Sequence, residues 1–115
     1  MAFRELLETN VAKFNDRMKT RSEYNQLLKD WNGRSLVLKI RDDLTYVIYI
    51  NLEGLRLEIS PQKIPEDMYL EMSTQLLKKM IDERKVNPMD VMMGKIKFKE
   101  ISLQDVSKVR QIFGA

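Results

Sequence analysis

The sequence predicts an α+β fold: a five-stranded, mostly antiparallel (mixed) sheet with helices covering one face and two helices at the N-terminus. Three observations predict it. The first ~30 residues repeat their apolar positions at helical spacing. From Ser35 the rhythm changes to two and holds through three short segments joined by turns. After Pro65, two more alternating segments are separated by a helical stretch. Strands grouped and helices grouped argue for α+β rather than a doubly wound sheet.

Each element has its own signal. Phe3, Leu7, Val11, Phe14 and Met18 fall on one helical stripe, widened by Leu6. Thr20 or Ser22 is placed to cap a second helix, with Tyr24, Leu27, Leu28 and Trp31 on its apolar side. Asn32-Gly33 ends it. "SLVLKIR" then puts Leu36, Leu38 and Ile40 on one face, and "RDDL" turns. "TYVIYINL" sets Tyr46, Ile48, Ile50 and Leu52 against Val47 and Tyr49. After a turn at Glu53-Gly54, Leu55, Leu57 and Ile59 oppose Arg56 and Glu58. This is an antiparallel meander. "SPQKIPED" breaks the rhythm with two prolines.

In the second half, Met68, Leu70 and Met72 alternate with Tyr69 and Glu71 as a fourth strand. Ser73 or Thr74 caps a helix bearing Leu76, Leu77, Met80 and Ile81 on its apolar stripe. Asn87-Pro88 fits an N-cap and first helical position. The short helix that follows groups Met89, Met92 and Met93, and Gly94 suits a left-handed C-cap. In the fifth strand, "KIKFKEI", Ile96 and Phe98 point one way and Lys95, Lys97 and Lys99 the other. The connection between strands four and five is long enough for a parallel pairing. Ser102 and Asp105 form a variant capping box for a last helix running to Phe113.

Composition bounds the chemistry. A chain of 115 residues fits one domain, taken as 1–115. Hydrophobic content of 43% and charged content of 32% fit a soluble globular chain. No apolar run approaches the ~20 residues that span a bilayer. The N-terminus does not read as a secretory signal and "QIFGA" is not a peroxisomal address, so the expected location is cytoplasmic. With no histidine and no cysteine, the familiar nucleophile–base pairs cannot be built, and zinc or copper ligation would fall to carboxylates. No glycine-rich phosphate loop appears among four glycines. Asp42-Asp43 and Glu66-Asp67 sit in turn contexts, where acidic residues are expected as solvated turn residues. No catalytic residue, metal site or cofactor is therefore expected, and the chain does not read as an enzyme. The net charge of +3 and the lack of a known binding motif argue against a nucleic-acid partner.

The ordered set of segments "LTYVIYINLEGLRLEI", "MYLEMSTQLLKKMI" and "VNPMDVMMGKIKF" resembles the sterol carrier protein lipid-binding domain family. The resemblance covers about residues 34 to 114, which sets a core of 34–115 behind N-terminal helices over 1–33. The chain departs from that family where members often carry a glycine before the Asn-Pro block, and again at Glu100-Ile101, where members often carry Gly-Asp or Gly-Asn. The resemblance implies an apolar tunnel between sheet and helices. Its expected lining is Ile48, Met68, Met72, Leu76, Met80, Met89, Met92, Met93, Phe98 and Phe113. Six of eight methionines lie between positions 68 and 93, and flexible thioethers suit a cavity that accepts varied shapes. The same pattern also describes an ordinary core.

The implied function is a non-enzymatic carrier for lipid-like ligands such as fatty acyl chains or acyl-CoA. Lys95, Lys97 and Lys99 either form a solvated, edge-protecting face or meet the phosphates of a ligand or an anionic membrane surface during ligand exchange. The competing reading is an interaction or dimerisation domain whose core is filled by its own methionines. It leaves a homodimer open.

Overall fold

The computed structural model describes residues 3–83, 87–102, 104 and 105. The expected last helix, Phe113 included, lies outside them. Helix α1 spans Phe3–Met18 and α2 spans Ser22–Leu27, followed by a 3-10 turn at Lys29–Trp31. The strands are β1 Ser35–Ile40, β2 Thr45–Asn51, β3 Gly54–Ile59, β4 Met68–Met72 and β5 Lys97–Lys99. Helices α3, Thr74–Glu83, and α4, Pro88–Met92, lie between β4 and β5.

The stripe on α1 packs as its spacing demands: Leu7, Val11, Phe14 and Met18 are buried. Phe14 meets Tyr24 of α2 edge-on, with ring centroids 5.1 Å apart. The expected caps of α2 are not used. Arg21 occupies its N-cap with no side-chain bond, because Ser22 is already helical and the Thr20 hydroxyl donates instead to the Arg17 carbonyl. Gly33, at φ +81°, turns the chain into β1.

The sheet order is β3-β2-β1-β4-β5. It is mixed, as expected, but the parallel pair is β1 with β4, running from Leu36 opposite Met68 to Ile40 opposite Met72. Strands β4 and β5 are antiparallel. The reason lies at the end of α4. Arg41 donates its backbone N–H to the Met72 carbonyl and its guanidinium to the Gly94 carbonyl. The turn before β5 is thereby held at the C-terminal ends of β1 and β4, and the chain can only run back. β5 is shorter than the expected 95–101. Lys95 and Ile96 give their N–H groups to the Asp90 carbonyl, and Glu100 turns away at φ +62°.

Alternation decides the two faces. Toward the helices the register builds an apolar row across all five strands: Ile59, Tyr46, Leu38, Leu70 and Phe98. On the other face Val37 lies opposite Val47, and both are buried. The β3–β4 connection crosses that face. Gln62, Lys63 and Pro65 line a hollow with Tyr49 and Glu58, and Pro65 and Glu66 line another with Tyr69 and Lys99.

The acidic turn residues have structural partners. Asp42 accepts from the amide and hydroxyl of Thr74 at the start of α3, and the Thr74 amide holds its carboxyl below the usual value. Ser73 caps the same helix by accepting from the Leu76 amide. Asn87 accepts from the Met89 amide and Pro88 opens α4, as the sequence predicts. Ser102 and Asp105 close the capping box in both directions.

Candidate functional site

The apolar layer between sheet and helices is where an apolar ligand would have to lie. β4 supplies Met68 and Met72, and β2 supplies Ile48, which shares a row with Leu36 and Met68. α3 lays Leu77 and Met80 onto this layer, because its apolar positions recur at helical spacing. All belong to one continuous core with α1. Burial of each such side chain contributes about 1.5–3 kcal/mol, so the layer is also what holds the sheet to its helices.

The expected lining residues divide into three groups. Ile48, Met68, Met72 and Met80 are buried together. Leu76 and Phe98 are half-buried against them. Met89, Met92 and Met93 instead face solvent. α4 turns Asp90 and Val91 inward, and Met89, Met92 and the C-cap residue Met93 outward. Phe113 lies outside the described residues.

Tyr46 carries a polar group into the layer. Tyr46 is fully buried and its hydroxyl donates to Asp43 at 2.7 Å. Burial, then that bond, pushes the phenol well above its ordinary range, so it stays a neutral donor. The sequence stripe showed Tyr46 facing inward. It gave no sign that the turn residue Asp43 would receive its hydroxyl.

The lysine row separates. Lys97 and Lys99 lie on β5, Lys97 opposite Glu71 and Lys99 with its ammonium 5.6 Å from the centre of the Tyr69 ring. Tyr69 donates to Glu71, which Arg41 also holds at 2.8 Å. Burial and that hydrogen bond push the Tyr69 phenol up to about 12. Lys95 is not on the strand; it sits in the preceding turn, 3.9 Å from Asp90. There it lines a hollow of about 310 Å³ with Arg41 and Lys79. Sequence reasoning missed Arg41 and Lys79, since they lie on different elements and only the fold brings them to one hollow.

Among the described residues no group of three or more acidic side chains is placed to hold a metal ion. The model of the SCP-2 sterol transfer family matches residues 12–112. The chain belongs to the SCP-2 sterol transfer family. It is thus a lipid-binding or lipid-transfer domain of the α+β type described above. No curated protein sequence matches the chain.

Solved structures share the SCP-2 fold at low identity. A protein titled "UbiJ-SCP2 Ubiquinone synthesis protein" aligns with a TM-score of 0.69 at 11% identity, covering 99% of this chain and 93% of that one. A crystal structure of sterol carrier protein 2 aligns with a TM-score of 0.61 at 14% identity, covering 91% of both chains. The sterol carrier protein domain 2 of Helicoverpa armigera aligns with a TM-score of 0.59 at 19% identity, covering 96% and 90%. At these identities the likeness is one of fold. Among the described residues no helix is long and apolar enough to cross a membrane.

Proposed function

We propose that this SCP-2 domain is a non-enzymatic carrier that takes a fatty acyl chain, an acyl-CoA or a similar apolar ligand between its sheet and helices. The observation that supports it is the grouping of Met68, Met72 and Met80 from β4 and α3 in one core layer. Unbranched thioethers re-pack at low cost, so this part of the layer can open where branched side chains would resist. Each ligand methylene buried there is worth about 0.8 kcal/mol before the costs of association. The absence of histidine and cysteine from the sequence is consistent with carriage rather than conversion of the ligand.

Titration with a fluorescent fatty acid tests this reading. Saturable uptake near one-to-one is expected, displaced by unlabelled acyl chains. One protein of this fold is named for ubiquinone synthesis, so an isoprenyl phenol belongs in the displacement panel. No uptake of any of these would reject the carrier reading.

A second reading has its own support. Met68 and Met72 are fully buried and Met80 is 3% exposed. In that reading the methionines fill the space themselves, and the domain acts by docking on a partner protein or a second copy.

A further inference from the structure

The methionines of α4 form a separate feature. Met89, Met92 and Met93 are 56, 80 and 64% exposed. They are spaced i, i+3 and i+4, so they make one contiguous apolar face, unlike apolar residues scattered singly over a surface. Asp90, on the neighbouring side of the same helix, lines the 310 Å³ hollow. Arg41, Lys79 and Lys95 line it too; Arg41 pairs with Glu71 and Lys95 stands 3.9 Å from Asp90, so three cations meet two carboxylates, and Ser73 and Gln75 add polar groups. Arg41 is braced there by Glu71 at 2.8 Å and by the Gly94 carbonyl at 3.1 Å. The hollow and the methionine face are therefore fixed on one short piece of backbone.

An apolar wedge beside a cationic hollow complements one kind of surface. A bilayer with anionic head groups offers acyl chains to the methionines and phosphates to the cations. A soluble anion would answer only the hollow. An apolar protein groove would answer only the wedge. Lys97 and Lys99 flank the inward-facing Phe98 in the strand alternation, so they project from the other side of the sheet.

We propose that α4 and the adjoining hollow dock this protein on anionic phospholipid membranes, with Met89, Met92 and Met93 entering the head-group boundary and Arg41, Lys79 and Lys95 receiving a lipid phosphate. The proposal does not require the domain to hold a ligand, so the two readings fail separately.

Co-sedimentation of the full chain with vesicles tests it. Vesicles of phosphatidylcholine mixed with phosphatidylglycerol should pull the protein down, and pure phosphatidylcholine should do so much less. Replacing Met92→Asp and Met93→Asp together should lower partitioning at least about tenfold. Lys79→Ala with Lys95→Ala should lower it by about thirtyfold and flatten its dependence on salt, since each lysine near such a surface is worth about 1 kcal/mol. Lys13→Ala with Lys29→Ala removes the same charge from exposed positions on α1 and the 3-10 turn and should leave partitioning near wild type. The milder Met92→Ser, checked by thermal unfolding, guards against a folding defect and should show a smaller loss.

Failure of the wild type to sediment with anionic vesicles would overturn the proposal. So would equal loss in the control pair, or a loss produced by Lys97→Ala with Lys99→Ala but not by the α4 variants. A dimer that dissociates on Met92→Asp and Met93→Asp, without vesicle binding, would give the patch to a second copy and overturn it as well.

Discussion

Asn15 of α1 holds Leu55 of the edge strand β3 by both of its backbone groups. Its Nδ2 donates to the Leu55 carbonyl at 2.9 Å, and its Oδ1 accepts the Leu55 N–H at 2.7 Å. One side-chain amide thus takes the place of a neighbouring strand at the exposed side of the sheet. It also anchors the N-terminal helix to the meander. The approach is close: a Cβ on Gly54 would stand 3.1 Å from the Asn15 Oδ1.

Asn15→Ala should cost about 1–3 kcal/mol, because both backbone groups lose their partner in a half-buried place. Urea unfolding should show the loss as a lower midpoint. The freed edge should also raise self-association, read by sedimentation velocity. Gly54→Ala should destabilise through the same contact, and the two losses should be less than additive. Full additivity would mean that the two positions act independently.

Glu100 has φ +62°, a left-handed conformation that costs a side chain about 1 kcal/mol. The resemblance described above also places a glycine at this point after the fifth strand. Glu100→Gly should therefore stabilise the protein by about 0.5–1 kcal/mol, visible as a higher thermal midpoint. An unchanged or lower midpoint would mean that the Glu100 side chain makes up for its strained backbone.

Asp67 ties the parallel pair together at its start. It accepts from the Ser35 amide at 2.8 Å, from the Arg34 guanidinium at 2.7 Å and from its neighbour Met68 at 2.8 Å. Burial alone would raise its carboxyl, but these three donors, the Ser35 amide foremost, hold it below its ordinary value. A carboxyl lowered on folding adds stability that is present above its unfolded pKa and is lost as pH falls through the folded one. Unfolding free energy should therefore decline below about pH 4, and Asp67→Asn should flatten that decline. At neutral pH the same change should cost about 1 kcal/mol, a modest figure because Arg34 is 37% exposed. A wild-type acid limb that survives Asp67→Asn unchanged would assign the decline to other carboxylates.

Met80→Phe fills space in the layer offered to the ligand. It should reduce fatty-acid uptake at least about tenfold while unfolding stays cooperative, at a stability cost of about 1–3 kcal/mol for overpacking. Unchanged uptake would place any ligand elsewhere.

What the sequence revealed follows from the range of the forces involved. Helices and strands announced themselves because period and capping are local: the α1 stripe, the Asn87-Pro88 start of α4 and the Ser102–Asp105 box all stand where the spacing put them. The antiparallel run of β5 beside β4 was hidden, since it depends on where Arg41 anchors the Gly94 turn 53 residues later. Asn15 and Leu55 lie 40 residues apart, and an asparagine on a helix gives no sign of that task. The α4 methionines were correctly grouped on one face by their spacing. Which way that face looks is set by the burial of Asp90 and Val91, and a five-residue helix does not encode that in its period.

Native mass spectrometry of the purified protein, with organic extraction of whatever accompanies it, tests carriage most directly. If the domain is a carrier, its mass will exceed that of the bare chain by one lipid-sized molecule, released on extraction as an acyl or isoprenyl compound. A bare mass, with no fluorescent fatty acid bound afterwards, would contradict carriage: Met68, Met72 and Met80 would then be packed on one another, and the domain would act through its surface.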